Sequence, residues 1–67
     1  MNITLNGDKI SLNNQVKNGS DLLTYLGIKS EFRVFEYNGH ILSSKIFGET
    51  ILKENDVVEI VQFMGGG

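Results

Sequence analysis

Apolar and polar residues alternate over the first twelve positions of the chain, as they do in a β-strand with one buried face. The alternation breaks at Asn6-Gly7, the dipeptide that most strongly indicates a tight hairpin, because both turn positions tolerate a positive φ. The pattern therefore predicts a β-hairpin over residues 1–13. Its apolar positions are Ile3, Leu5, Ile10 and Leu12.

A different spacing follows the hairpin. Leu22, Leu23 and Leu26 recur at intervals that place them on one face of a short helix, predicted over residues 20–26. Ser20 is the predicted N-cap, with the acidic Asp21 in the first turn, and Gly27 is placed to end the helix in a left-handed conformation. A helix this short needs support from a sheet.

Alternation returns in the second half of the chain. Arg33 to Tyr37 is predicted as a strand that ends at the turn dipeptide Asn38-Gly39, and Ile41-Leu42 as a short edge strand. Residues 43–53 lack a clear period, so we expect an irregular segment with one turn of helix. The last strand is predicted from Val57 to Phe63.

This order of elements favours an α+β fold, with one short helix packed on a mixed sheet of four to five strands. It matches the β-grasp, or ubiquitin-like, arrangement, in which the first and last strands lie side by side at the centre. We expect one β-grasp domain over residues 1–64, followed by a flexible C-terminal tail over residues 65–67, because three glycines give up much backbone entropy and offer nothing to pack.

Composition narrows the function classes. The 67 residues carry a net charge of −2, which is not the basic footprint of a nucleic-acid-binding protein. The chain has no cysteine and one histidine, so neither disulfides nor a zinc site is expected. No signal peptide and no apolar run of about 20 residues is found, so we expect a cytoplasmic protein without a membrane segment.

Catalysis by side chains is not indicated. His40 follows the Asn38-Gly39 turn and is predicted to be a solvated loop residue. The eight carboxylates are scattered, and none is spaced with a histidine or a nucleophile as acid–base or covalent chemistry requires. We therefore expect surface carboxylates and a protein that is not an enzyme.

The candidate functional group is the C-terminus itself. Gly65, Gly66 and Gly67 follow the last strand directly and end in a carboxylate that a narrow slot in another protein could accept. The alternative interpretation is an inert, frayed end.

The last strand carries large apolar residues on both faces, although one helix covers only one face of a sheet. If Glu59 marks the solvent side, then Val57, Val61 and Phe63 form an exposed stripe that leads through Met64 to the glycines. Such a stripe suits a partner-docking surface. The alternative is that residues 43–53 bury this face.

The run from Leu52 to Gly67, LKENDVVEIVQFMGGG, closely resembles the C-terminal block of the ThiS family, the sulfur carriers of thiamine biosynthesis. The block has an acidic turn, a Val-Glu-Ile-Val strand and a diglycine end. Met1 to Gly7, Asp21 to Gly27 and Tyr37 to Gly39 are similar to the family's opening strand, first helix and third-strand turn. The resemblance thus spans essentially the whole chain.

The resemblance implies that a ThiF-type enzyme, using ATP and Mg²⁺, adenylates the carboxylate of Gly67. It also implies that Gly65 and Gly66 thread into that enzyme's active site. By the same resemblance, sulfur from a donor such as a cysteine desulfurase is expected to yield a thiocarboxylate, which serves thiazole synthase (ThiG). The resemblance implies no cofactor or metal bound by the chain itself.

Two alternatives stay open at the level of the sequence. A related β-grasp carrier for molybdopterin or another sulfur-transfer pathway also ends in diglycine. A non-covalent β-grasp binding module would not need its glycine tail.

Overall fold

The computed structural model describes residues 1–63, which form a mixed sheet with two short helices against one face. The strands are β1 (Asn2–Leu5), β2 (Asp8–Ser11), β3 (Arg33–Tyr37), β4 (His40–Leu42) and β5 (Val57–Gln62). The helices are α1 (Gly19–Leu26) and α2 (Ser44–Glu49).

The strand order is β2-β1-β5-β3-β4. Strands β1 and β5 pair in parallel, and the other neighbouring strands pair in antiparallel fashion. The expected contiguity of the first and last strands is confirmed, with β5 in the middle of five strands. This is the predicted β-grasp fold.

The N-terminal hairpin forms as predicted. Asn6 and Gly7 make the turn with φ of 49° and 86°, the left-handed conformations that favour asparagine and glycine. The register sets Ile3 opposite Ile10, so that the apolar side chains of both strands point toward the helices. The hairpin thereby supplies one side of the core.

Helix α1 begins one residue earlier than predicted, and the predicted cap was wrong. Asn18, not Ser20, is the N-cap, and its side-chain oxygen accepts a hydrogen bond from the backbone N–H of Asp21 at 2.8 Å. The Asp21 carboxylate in turn accepts from the backbone N–H of Lys17 at 2.9 Å. Gly27 ends the helix with φ of 72°, as predicted.

The segment 43–53, predicted to be irregular with one turn of helix, contains the six-residue helix α2. Ser43 caps it by accepting a hydrogen bond from the backbone N–H of Ile46. A single residue of this helix, Phe47, is fully buried, and its ring stacks on that of Phe35 at 4.7 Å. A helix with a single buried side chain has no repeating apolar spacing, so the sequence pattern did not predict its full length.

The core lies between the sheet and the two helices. Gly19 lets the helices approach closely, because a Cβ at this position would stand 2.0 Å from the Phe47 carbonyl oxygen. The buried apolar residues are Ile3, Leu12, Val16, Leu22, Leu23, Phe35, Phe47, Leu52, Val58 and Ile60. The opposite face of the sheet carries no element in the part of the chain described.

Candidate functional site

Strand β5 presents two contrasting faces. Val58 and Ile60 are buried beneath the helices. Val57, Val61 and Phe63 point the other way and are 45%, 55% and 47% exposed. The sequence-based alternative, in which residues 43–53 bury this side, is wrong, because that segment packs on the helical face. The exposed stripe therefore exists, while its use for docking remains a prediction.

Neighbouring strands widen the stripe. Val34 lies opposite Val61 in the β3–β5 register, and Ile41 on β4 is 72% exposed. The ring of Phe32 contacts that of Phe63 edge-on, with centroids 6.3 Å apart. We call this surface the outer apolar face; its members are Phe32, Val34, Ile41, Val57, Val61 and Phe63.

The sequence prediction missed three of these residues. Phe32, Val34 and Ile41 were not assigned to the stripe. Val34 could have been, because it directly precedes the buried Phe35 on β3 and successive strand residues point to opposite faces. Phe32 adopts φ of 60°, a conformation that an aromatic residue rarely takes, just before β3 begins. Its exposed ring is held against Phe63 despite that backbone cost.

Two carboxylates stand within the outer apolar face. Glu36 on β3 lies directly opposite Glu59 on β5, and Ile41 on β4 lies on the other side of Glu36. Glu59 is exposed and Glu36 is half-buried. The expectation that Glu59 marks the solvent side is thus met, and Glu36 joins it there.

A polar cluster anchors the start of β5. The Asp56 side chain is only 4% exposed and accepts hydrogen bonds from Tyr37 Oη at 2.6 Å, Asn38 Nδ2 at 3.1 Å and the backbone N–H of Lys53 at 2.8 Å. Asn38 also accepts from the backbone N–H of Val57 at 2.7 Å. The prediction of surface carboxylates was wrong for Asp56, because an Asn-Asp dipeptide gives no sign of distant partners.

The cluster also sets the ionisation of its members. Burial alone raises the pKa of Asp56, but the hydrogen bonds from Tyr37, Asn38 and Lys53 outweigh it, so the pKa lies below the usual 3.8. The hydrogen bond of Lys53 Nζ to Tyr37 Oη (3.0 Å), helped by the Asp56 charge, raises the pKa of Lys53. The carboxylate is therefore held ionised.

Asn6 supports the far half of β5. Its backbone N–H donates to the Val58 carbonyl at 2.9 Å. Beyond that bond, its Oδ1 accepts from the Ile60 N–H at 2.8 Å and its Nδ2 donates to the Ile60 carbonyl at 3.2 Å. The carboxamide thus replaces one residue of β1 in the parallel ladder. The sequence pattern assigned Asn6 only to the turn. A side chain that hydrogen-bonds in place of a backbone amide cannot be recognised from the spacing of apolar residues.

The end of β5 is tied to the segment before β3. The Phe63 N–H donates to the Phe32 carbonyl at 2.9 Å. The Arg33 guanidinium donates to the carbonyls of Lys29 and Glu31 and to Gln62 Oε1 at 3.5 Å. Strand β5 is therefore held by specific contacts from Asp56 to Phe63.

The remaining predicted site residues lie outside the described part of the chain: Met64, Gly65, Gly66 and Gly67. His40 is exposed but opens β4 opposite Tyr37, so its prediction as a loop residue was wrong. Within residues 1–63, no group of three or more His, Cys, Asp or Glu side chains could hold a metal ion. No helix among these residues is long and apolar enough to cross a membrane.

Comparison with known proteins places the whole chain in one group. The model of the ThiS family matches residues 2–67. The chain belongs to the ThiS family. The resemblance seen in the sequence alone is thereby confirmed, and it extends through the three terminal glycines.

Individual relatives match over all or nearly all of the chain. The sulfur carrier protein ThiS of Bacillus subtilis is 31% identical over 65 residues, which are 97% of this chain and 98% of the relative. An uncharacterized protein, ycf40, of Trieres chinensis is 36% identical over 63 residues, 94% of this chain and 85% of the relative. The crystal structure of a thiamine biosynthesis protein (ThiS) of Geobacter metallireducens superposes with a TM-score of 0.83 at 36% identity, covering 100% of both chains.

Membership of the ThiS family favours a sulfur carrier of thiamine biosynthesis over the two alternatives that the sequence left open, a carrier for another pathway and a non-covalent binding module. ThiS proteins are small sulfur carriers and not catalysts, as predicted for this chain. The outer apolar face and the anchored β5 are accordingly features of a carrier that other proteins act upon.

Proposed function

We propose that this chain carries sulfur for thiamine biosynthesis as a thiocarboxylate on its terminal residue, Gly67. The observation that carries this proposal is the ThiS-family match, which covers residues 2–67 and so includes Gly67. The chain has no cysteine, so a persulfide on one of its own side chains is not an option. The terminal carboxylate is the remaining covalent attachment point.

The chemistry begins with an unreactive carboxylate. An adenylating enzyme of the ThiF type joins the Gly67 carboxylate to the α-phosphorus of ATP, with Mg²⁺ on the phosphates, and pyrophosphate leaves. The terminal sulfur of a persulfide, formed by a donor such as a cysteine desulfurase, attacks the acyl carbon and expels AMP, which gives an acyl disulfide. A thiol then attacks the donor's sulfur in that disulfide, supplies the two electrons, and forms a disulfide with the donor as the sulfur on Gly67 is released. The product is a thiocarboxylate, which thiazole synthase (ThiG) uses as its sulfur source. ATP and Mg²⁺ belong to the activating enzyme.

The β-grasp domain would provide the surface that these enzymes bind. Val57, Val61 and Phe63 on the outer apolar face, with Met64 next to them in the chain, are the proposed docking residues. Gly65 and Gly66 have no side chains, so the main chain can approach an adenylate without steric clash. We place the carrier in the cytoplasm together with these partners.

The test is ATP-dependent labelling of Gly67. The chain is incubated with a ThiF-type enzyme, ATP, Mg²⁺ and a sulfur source, then treated with a thiol-alkylating reagent and mapped by mass spectrometry. Alkylation is required because the exchange of oxygen for sulfur nearly matches oxidation of Met1 or Met64 in mass. A label on Gly67 that disappears without ATP supports the proposal.

Deletion of Gly66 and Gly67 is the matched control. We expect the shortened chain to unfold at the temperature of the wild type, because the described core and the contacts that anchor β5 lie within residues 1–63. We expect it to take no label, because it lacks Gly67. Absence of label on the full chain, with an enzyme shown to be active on another carrier, would contradict the proposal. Function that survives the deletion would instead favour a non-covalent binding module.

A further inference from the structure

The centre of the outer apolar face holds two like charges side by side. Glu36 and Glu59 are direct cross-strand partners, and such side chains have Cβ atoms about 4.5–5.5 Å apart. Both project from the face opposite the core, since their strand neighbours Phe35 and Ile60 are buried. Two carboxylates directly opposite each other destabilise a sheet.

The described residues supply no counter-charge to this pair. Arg33 is engaged with carbonyl oxygens of the segment before β3, and Lys53 with the Tyr37 hydroxyl. Lys9 shares the outer face but stands on β2, with β1 between it and β5. No ion pair within 4.0 Å reaches either carboxylate from residues 1–63.

Apolar side chains surround the two carboxylates. The Val34–Val61 pair lies next to them toward the end of β5, Ile41 lies beside Glu36 on β4, and Val57 lies two residues before Glu59. A partner that covers these apolar residues must also cover the carboxylates and remove them from water. Buried carboxylates without a partner are costly, so the covering surface has to bring a positive charge.

We propose that the outer apolar face docks on an apolar partner surface with an arginine at its centre, whose guanidinium bonds to both Glu36 and Glu59. This inference rests on the proposed function and assigns that surface to the adenylating enzyme. A guanidinium is planar and offers five N–H donors, so it can bridge two adjacent carboxylates, whereas lysine offers a single point charge. A metal ion fits less well, because no third acidic, histidine or cysteine ligand joins the pair in residues 1–63.

The arrangement separates binding from folding. In the free protein the two carboxylates repel each other, so removing their charges relieves the fold. In the complex the same change removes the partner for the arginine. A variant that becomes more stable but binds less tightly is therefore the signature of this role, and a folding defect cannot produce it.

The first experiment compares two double variants of equal charge. E36Q/E59Q and the control D8N/E49Q each raise the net charge from −2 to 0. Asp8 is exposed on β2 in the strand phase of the core-facing Ile10, and Glu49 is exposed on α2, so neither belongs to the outer apolar face. The Kd for the adenylating enzyme is measured by calorimetry without ATP, at two salt concentrations. We expect E36Q/E59Q to bind at least about tenfold more weakly, with a smaller salt dependence, and the control to bind like the wild type.

A second variant reverses one charge. Glu36→Lys creates an opposite-charge pair with Glu59 across the strands, so we expect a melting temperature at or above that of the wild type and still weaker binding. If E36Q/E59Q and Glu36→Lys both bind within about twofold of the wild type, the proposed arginine contact is overturned, and the pair serves only to keep the apolar face soluble.

The labelling assay separates this inference from the proposed function. Label on Gly67 that forms at the wild-type rate in E36Q/E59Q, at limiting carrier concentration, overturns the arginine contact and leaves the sulfur carrier intact. Weaker binding of E36Q/E59Q with no label on Gly67 in any variant supports the contact and overturns the thiocarboxylate. A wild-type chain that does not bind the enzyme overturns the contact.

Discussion

At the scale of single residues, Asp56 shows how one side chain can hold several elements together. Its two oxygens receive donors from β3, from the β3–β4 turn and from the segment before β5. Each neighbour donates and none accepts, so the site is matched to a carboxylate. The contacts fix where β5 begins, and hence where its exposed stripe lies.

Asp56→Asn should destabilise the protein. An amide nitrogen at this position would face a donor whichever way it turned, so at least one hydrogen bond is replaced by a repulsive contact. We expect a loss of about 1–3 kcal/mol in the free energy of unfolding at neutral pH, measured by urea denaturation. Asp8→Asn, an exposed carboxylate on β2, is the control and should change little. Equal stability of the two variants would contradict the role of Asp56.

Asp56 also contributes to the pH dependence of the free energy of unfolding. The pKa of Asp56 is lowered in the folded state, so the folded protein binds this proton less readily than the unfolded chain. The stabilisation is complete above the unfolded pKa, near 3.8, and is lost as pH falls through the lower folded value. We therefore expect the difference between wild type and Asp56→Asn to be constant from pH 7 to about 5 and to shrink in more acidic solution. A difference that grows on acidification would contradict this sign.

At the scale of elements, the two helices are short and depend on their ends. Helix α1 has eight residues and α2 has six, too few to be stable without caps and tertiary contacts. Asn18 and Ser43 close their N-termini, and Gly27 closes the C-terminus of α1. Small changes at these positions therefore have measurable effects.

The correction of the α1 cap can be tested by a pair of alanine variants. Asn18→Ala removes the acceptor for the Asp21 N–H, and we expect it to cost about 1 kcal/mol in the free energy of unfolding. Ser20→Ala lies inside the helix and should stay within about 0.5 kcal/mol of the wild type. A larger loss of stability for Ser20→Ala than for Asn18→Ala would contradict the Asn18 cap and favour Ser20, the N-cap predicted from the sequence.

The contact between the helices gives a second matched pair. A Cβ on Gly19 would lie 2.0 Å from a backbone oxygen of Phe47, so Gly19→Ala must move one helix and should cost about 1–3 kcal/mol. A Cβ on Gly48 would lie 2.9 Å from Ser20 Oγ, an exposed hydroxyl that can rotate. Gly48→Ala should therefore be nearly neutral in thermal unfolding. Similar melting temperatures for the two variants would contradict the close approach at Gly19.

At the scale of the whole molecule, the two faces of the sheet have different tasks. The inner face carries the core and both helices, while the outer face exposes aromatic and branched side chains next to the end of β5. Exposed apolar residues that lie together typically mark an interaction surface. The proposed docking residues Val57, Val61 and Phe63 therefore all lie on the outer face.

Serine substitutions on the outer apolar face test that task. Val61→Ser and Phe63→Ser remove half-exposed side chains, so we expect the free energy of unfolding to stay within about 1 kcal/mol of the wild type. The Kd for the adenylating enzyme should rise about tenfold or more, because the buried centre of an interface carries most of its binding energy. Ile51→Ser, at an exposed position in the α2–β5 connection, is the control. Unimpaired binding of both face variants would rule out docking on this face.

Prediction from the sequence succeeded where structure is local. The Asn6-Gly7 and Asn38-Gly39 turns, the C-cap at Gly27 and strand β3 all follow from propensities within a few residues, and each is confirmed. It failed where a residue's partners are distant in the chain. Asp56 contacts Tyr37 and Asn38, and Asn6 contacts Ile60, and no short window contains both members of these pairs.

By itself the sequence determined the alternation of the strands, the β-grasp order of elements and the ThiS-type end at Gly67, because periodicity, turn chemistry and motifs are local properties. The tertiary structure alone decided which residues of neighbouring strands meet. It joined Val34 and Ile41 to the β5 stripe, set Glu36 against Glu59 and buried Asp56. Pairing register and burial depend on contacts between residues far apart in the chain, and these arise only when the sheet has formed.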